Sequence, residues 1–113
     1  MTQPMTIIRT ISVLAAQHDL SARQLVVFSE VYGTDELLSV KHLTERLGFP
    51  SKAIVTRALD KLCGHKLVQR HADPHDRRMI QIHRTPEGTK YYAALEDVVR
   101  AAIPAEAVER LAA

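Results

Sequence analysis

The chain has 113 residues, 46% of them apolar, which suffices for one compact core and excludes two. With two Phe, three Tyr and no Trp, that core has to be built from Leu, Val, Ile and Ala, a composition that suits helices packed side by side. The net charge of +2 hides a segregation: residues 41 to 84 hold ten Lys and Arg against four acids, the remainder five against nine, and such a field favours a polyanion at one face.

A lone cysteine, Cys63, excludes an intramolecular disulfide. No charged-then-apolar leader opens the sequence, and no apolar run approaches the ~18 residues of a membrane span, so a cytoplasmic protein without a membrane partner is expected.

In chain order, residues 6 to 17 place Ile7, Ile8, Ile11, Leu14 and Ala15 at the spacing of a short amphipathic helix. Ser21 is positioned to cap a second helix through Tyr32, with Leu25, Phe28 and Val31 or Tyr32 inward and Gly33 as terminator. Asp35 and Glu36 mark a connection. Ser39 caps a shorter helix with Val40, Leu43 and Leu47 inward, and Gly48 stops it. After the turn at Phe49 and Pro50, Ser51 caps a helix running to Cys63. Its Ile54, Ala58, Leu59 and Leu62 fall on one face, with Lys52, Ala53, Thr56, Arg57 and Asp60 elsewhere, and Gly64 ends it. Helix, short Gly-containing turn, helix is the helix-turn-helix pattern.

Residues 67 to 71 and 79 to 83 are β-prone and flank Asp73-Pro74-His75-Asp76, where Pro fixes φ and Asp side chains bond nearby N–H groups, so a hairpin follows as a wing. Thr85 caps a last long helix with Pro86 at its first position, running to Ala102 with Tyr91 or Tyr92, Leu95 and Val98 or Val99 inward. Pro104 breaks it and allows a final short helix. The fold class is mainly α with a small β-hairpin, one winged-helix DNA-binding domain over residues 1 to 113, with helices 6 to 17 and 86 to 111 as dimerisation elements.

A helix fits the major groove of B-DNA, so base readers belong on the solvent face of the second helix of the pair, toward its start. That face offers Ser51, Lys52, Ala53, Thr56 and Arg57, with Lys61 further along. Arg57 is the base reader, because a guanidinium takes guanine O6 and N7 together. Thr56 suits a thymine methyl or a phosphate, while Ser51 and Lys52 at the positive end of the helix dipole suit phosphate. An arbitrary amphipathic helix more often presents a merely solvated polar face; the preceding helix, the turn and the basic hairpin reverse that expectation here. At the wing tip Arg77 and Arg78 suit a narrow A·T-rich minor groove, with Asp73 or Asp76 pairing one Arg and holding it outward. The competing reading is a solvated surface ion pair worth no more than ~1 kcal/mol.

The six histidines (18, 42, 65, 71, 75 and 83) lack the i, i+3 or i+4 pairing of a preorganised helical metal site; His71 and His75 flank the turn, and a hairpin could set His71 and His83 on neighbouring strands, but no metal or cofactor is expected. Cys63 reads as a small buried hydrophobe. No nucleotide-binding glycine pattern, nucleophile elbow or helical His-Glu pair supports an enzyme.

The series Leu43-Thr44-Glu45-Arg46-Leu47-Gly48, Val55-Thr56-Arg57-Ala58-Leu59-Asp60-Lys61-Leu62, Leu67-Val68-Gln69-Arg70, Asp73-Pro74-His75-Asp76-Arg77-Arg78 and Thr85-Pro86-Glu87-Gly88 resembles the winged helix-turn-helix of MarR-type transcriptional regulators over residues 20 to 92. The resemblance implies that Arg57 and Thr56 read the groove, that Arg78 is the minor-groove arginine and that Asp76 is the acid beside it. It also implies dimerisation through a long first helix and two long terminal helices, and small phenolic or other ligands bound between that region and the DNA-binding lobe. This chain departs at its ends: the first helix is short, and the 25 residues after Gly88 are broken by Pro104. A small-molecule effector is left open. The expectation is a homodimer on a pseudo-palindromic duplex site that occupies a promoter as a repressor does. The alternative is a winged-helix module for protein contacts, an adaptor or an antagonist of a longer family member.

Overall fold

The computed structural model describes residues 4–102. Among them five helices and three strands run in the order α1 (Pro4–Gln17), α2 (Ala22–Tyr32), β1 (Leu38–Ser39), α3 (Val40–Leu47), α4 (Lys52–Gly64), β2 (Val68–Ala72), β3 (Ile80–Arg84) and α5 (Pro86–Ala102). The short helix expected after Pro104, and the terminal segment beyond Ala102, lie outside the described residues.

Three of the four expected caps form. Ser21 closes a capping box, its Oγ accepting from the Gln24 N–H and the Gln24 side chain accepting from the Ser21 N–H. Ser39 Oγ accepts from the His42 N–H at 3.1 Å, and Thr85 Oγ1 accepts from the Gly88 N–H at 2.9 Å. Ser51 has the extended backbone of a cap but its hydroxyl makes no cap bond.

The exits of α1, α3 and α4 share one device, a left-handed residue followed by an apolar one whose N–H reaches back five residues, whereas α2 ends at Gly33 with a right-handed φ of -88. Asp19 (φ 52) hands Leu20 to the Ala15 carbonyl, Gly48 (φ 69) hands Phe49 to Thr44, and Lys66 (φ 60) hands Leu67 to Leu62. The expected stop at Gly64 is thus corrected: Gly64 is the last helical residue, and Lys66 supplies the positive φ. Leu62 and Leu67, the apolar pair that closes this motif, are both buried, which is why the chain turns there rather than at the glycine.

The core gathers Val27, Phe28, Val31 and Tyr32 of α2, Leu43 of α3, Val55, Ala58, Leu59 and Leu62 of α4, Leu67, Val68, Ile82, and Tyr91 and Leu95 of α5. Truncating one of its fully buried leucines to Ala costs about 2–5 kcal/mol. Two inward residues differ from expectation. Val55 is fully buried and Ile54 only half-buried, while Ala58, Leu59 and Leu62 are buried as expected; α2 and α3 both pack on this side of α4. On α1, Ile8 is exposed while Ile11 and Leu14 are half-buried and Ala15 buried; the Ile7 side chain lies outside the described residues.

The sheet is antiparallel in the order β1-β3-β2, with Arg70 opposite Ile82 and Leu38 on the other side of Ile82. The two hairpin strands sit one residue later than expected, and β1 was not expected at all. Tyr32 ties these layers together: its hydroxyl donates to the Leu67 carbonyl at 2.6 Å and accepts from the Thr85 N–H at 3.1 Å, while Thr85 Oγ1 donates to the Lys66 carbonyl at 2.7 Å. This network anchors the wing and the start of α5 on the back of the helix-turn-helix.

Candidate nucleic-acid interface

Burial of Val55, Ala58, Leu59 and Leu62 turns the opposite side of α4 to solvent, so Ser51, Lys52, Ala53, Thr56 and Arg57 are all exposed together at its N-terminal half. The free hydroxyl of Ser51 and the unpaired first-turn N–H groups of α4 face outward with them. Lys61 is placed differently. It is half-buried at the far end of α4, and its Nζ pairs with Asp19 Oδ2 at 3.3 Å, tying α4 to the loop after α1.

The wing tip is shaped by two aspartates. Asp73 Oδ1 accepts from the His75 N–H at 2.7 Å and the Asp76 N–H at 3.2 Å, and the Asp73 N–H donates to the Met79 carbonyl at 2.8 Å. Asp76 Oδ1 then accepts from both the backbone N–H and Nε of Arg78, at 3.1 and 3.0 Å, and Oδ2 lies 3.3 Å from an Arg78 terminal nitrogen. This fork holds a guanidinium that is 91% exposed. The Arg78 side chain, first, and its N–H, second, hold the Asp76 carboxyl below its ordinary value of 3.8 against slight desolvation. Arg77 is exposed beside it.

The basic segment divides when its partners are traced. Arg46 pairs with Glu30 at 2.7 Å and Glu36 at 3.2 Å, and Arg70 pairs with Asp60 at 2.8 Å. Arg84 donates to the carbonyls of Val31, Tyr32 and Thr34, capping the C-terminal end of α2, and lies over the Tyr32 ring. These three arginines fasten elements together. Lys52, Arg57 and Arg77, by contrast, have no acidic partner among the described residues.

One residue outside that segment joins the face. Arg23, in the first turn of α2, lies over the Phe49 ring at 5.9 Å and shares with Arg57, Ile54 and Gln24 a cleft of about 410 Å³. Its sequence signal is a cation where the helix dipole disfavours one. Among the described residues, no group of three or more His, Cys, Asp or Glu is placed to hold a metal.

Two helices joined by a tight turn, the second exposed along its leading half and followed by a basic hairpin, define a winged helix-turn-helix protein. A sequence model of the MarR family matches residues 18–79, more than half of the chain. The chain belongs to the MarR family, whose members are transcriptional regulators and not enzymes. Solved structures share its fold. Staphylococcus aureus MepR in a complex with DNA superposes with a TM-score of 0.79 at 20% identity, covering 94% of this chain and 86% of that one. A MarR transcriptional regulator from Methanosarcina mazei Go1 gives 0.69 at 21%, covering 84% and 70%. CouR from Rhodococcus jostii RHA1, bound to p-coumaroyl-CoA, gives 0.68 at 22%, covering 94% and 78%. Among curated proteins there is no match. No helix among the described residues is long and apolar enough to cross a membrane.

Proposed function

We propose that the chain is a sequence-specific regulator that binds duplex DNA as a homodimer, one helix-turn-helix per half-site with half-sites about 10 bp apart, and acts in the cytoplasm by occupying a promoter. The observation that carries this reading is the juxtaposition of unpaired Lys52 and Arg57 on the open face of α4 with Arg77 and the Asp76-held Arg78 on the wing. A recognition helix in the major groove leaves such a wing over the adjacent minor groove. In this reading Arg57 and Thr56 read bases, Ser51, Lys52 and Ala53 approach phosphates, Arg78 enters the minor groove, and Lys61 supports the helix through Asp19. The MepR complex with DNA supports the same use of the fold.

Dimerisation is assigned to α1, α5 and the residues beyond. Met5 and Ile8, one turn apart on α1, are 70% and 57% exposed, an apolar strip that a partner would cover. Gel shifts of the purified chain against genomic and random duplexes at two salt concentrations test the proposal. Salt-sensitive binding with preference for particular genomic fragments is expected. A monomer that retards no duplex at either salt would overturn it and favour the protein-contact module.

A further inference from the structure

The outward face of the hairpin carries a polar quartet that DNA binding does not use. Antiparallel register sets Gln69 opposite His83 and His71 opposite Gln81, and the two-residue period of a strand puts all four on the face away from buried Ile82. The His71 and His83 rings meet edge to face with centroids 4.8 Å apart. Nε2 of His71 lies 3.2 Å from Gln69 Oε1, and Nε2 of His83 lies 3.4 Å from Gln81 Oε1. Asp73 orients one amide: Gln81 Nε2 donates to Asp73 Oδ2 at 2.9 Å, which turns Gln81 Oε1 toward His83.

We propose that this quartet binds a borderline divalent transition ion of the Zn²⁺ and Cu²⁺ class, with the His71 and His83 imidazoles as principal ligands and the Gln81 and Gln69 amide oxygens as weaker ones. An imidazole nitrogen binds Zn²⁺ at about 2.0–2.1 Å, so the ring centroid lies about 3.2 Å from the ion, and two such rings at a tetrahedral angle stand about 5.2 Å apart. The observed 4.8 Å is close to that separation, with the rings now edge to face. Neighbouring donors around a tetrahedral ion of that radius are about 3.4 Å apart, the spacing each His nitrogen already has to its Gln oxygen. The hairpin fixes both histidines through its own ladder, and Asp73, itself locked by two turn N–H groups, acts from outside the ligand set by aligning Gln81. With two imidazoles and no carboxylate among the ligands, the site prefers Cu²⁺ over Zn²⁺ and both over Mg²⁺.

The test is a calorimetric titration of the metal-free, tag-free full chain with Zn²⁺, Cu²⁺ and Mg²⁺, with the histidine ring resonances followed by NMR. One equivalent of Zn²⁺ or Cu²⁺ saturates, Mg²⁺ does not, and the His71 and His83 signals move together. H71Q and H83Q each abolish saturable binding, D73N weakens it roughly 10-fold through Gln81, and H18Q and H65Q, at the other contacting histidine pair, leave it unchanged. Absence of one-equivalent saturation in the unmodified chain, or shifts at His18 and His65 instead, would overturn the assignment. No DNA enters the experiment, so the regulatory reading stands or falls separately.

Discussion

Arg57 and Arg78 carry the same charge in different surroundings, and that difference sets what each substitution does. Arg57 stands exposed on a rigid helix, beside Arg23 across a shared cleft. R57A is expected to cost ~1–3 kcal/mol on the preferred duplex and to relax the preference at one base position, read by anisotropy against singly substituted duplexes. Arg78 is held by Asp76 at the wing tip, so R78A weakens sites flanked by A·T pairs more than sites flanked by G·C pairs. Equal, small losses from both on every duplex would mark these side chains as merely solvated. The tether has its own pH signature. Because Asp76 is depressed in the folded chain, its contribution is fully present above the ordinary value of 3.8 and is lost as pH falls through the lower folded value. The wing therefore keeps its order across neutral and mildly acidic pH. A carboxyl-detected NMR titration should place Asp76 below 3.8, and a midpoint at or above that would show that the fork does not persist in solution.

The segment from Thr85 to Gly88 shows how far an element is legible locally. Its cap and its Pro at the first helical position follow from the residue types, and the Thr85 bond to the Gly88 N–H bears this out. The need for glycine at 88 does not follow from them. A Cβ there would stand 1.9 Å from the Tyr32 hydroxyl and 2.1 Å from the Leu67 carbonyl, both already engaged in the network that seats the wing. G88A is expected to destabilise by about 1–3 kcal/mol or more, with a fall in melting temperature of roughly 4 °C at least, measured by thermal denaturation. An unchanged midpoint would show that the Tyr32 network yields freely. The same boundary between local and tertiary causes separates the other elements. The helices at Ser21, Ser39 and Thr85 were readable from their caps. The α4 face was read correctly at Ala58, Leu59 and Leu62, and only its first turn differs, with Val55 buried in place of Ile54. The two-residue β1 exists only because β3 offers its open edge to Leu38 and Ser39, with no alternation of its own to reveal it. Lys66 in the left-handed position was hidden by the nearby Gly64, the better intrinsic candidate.

Over the whole molecule, charge segregation overstates the number of cations open to a partner, since Arg46, Arg70 and Arg84 are paired within the fold. Composition cannot separate a cation that braces two helices from one that waits for phosphate; only partners can. With the braces removed from the tally, Lys52, Arg57, Arg77 and Arg78 are what the proposed face offers a duplex, and two copies of the chain, as proposed, would double that set. The surface that would join them is α1 with α5, which pack together through the Tyr91 hydroxyl and the Leu14 carbonyl. Met5 and Ile8 lie open on this pair, and Ile11, Leu25, Tyr92, Leu95 and Val99 line a cleft of about 420 Å³ beside them. Placing charge on the open strip tests the link between assembly and affinity. M5K combined with I8K should shift sedimentation equilibrium from dimer to monomer while the far-UV circular dichroism keeps its helical signal, because both side chains are solvated in the isolated chain. Affinity for a duplex with two half-sites should then drop by roughly 10²-fold or more, the loss of a second tethered contact, while affinity for an isolated half-site stays the same. A wild-type chain that sediments as a monomer yet binds the two-half-site duplex no more tightly than a half-site would instead place the whole of recognition in one copy, with α1 left open for another purpose.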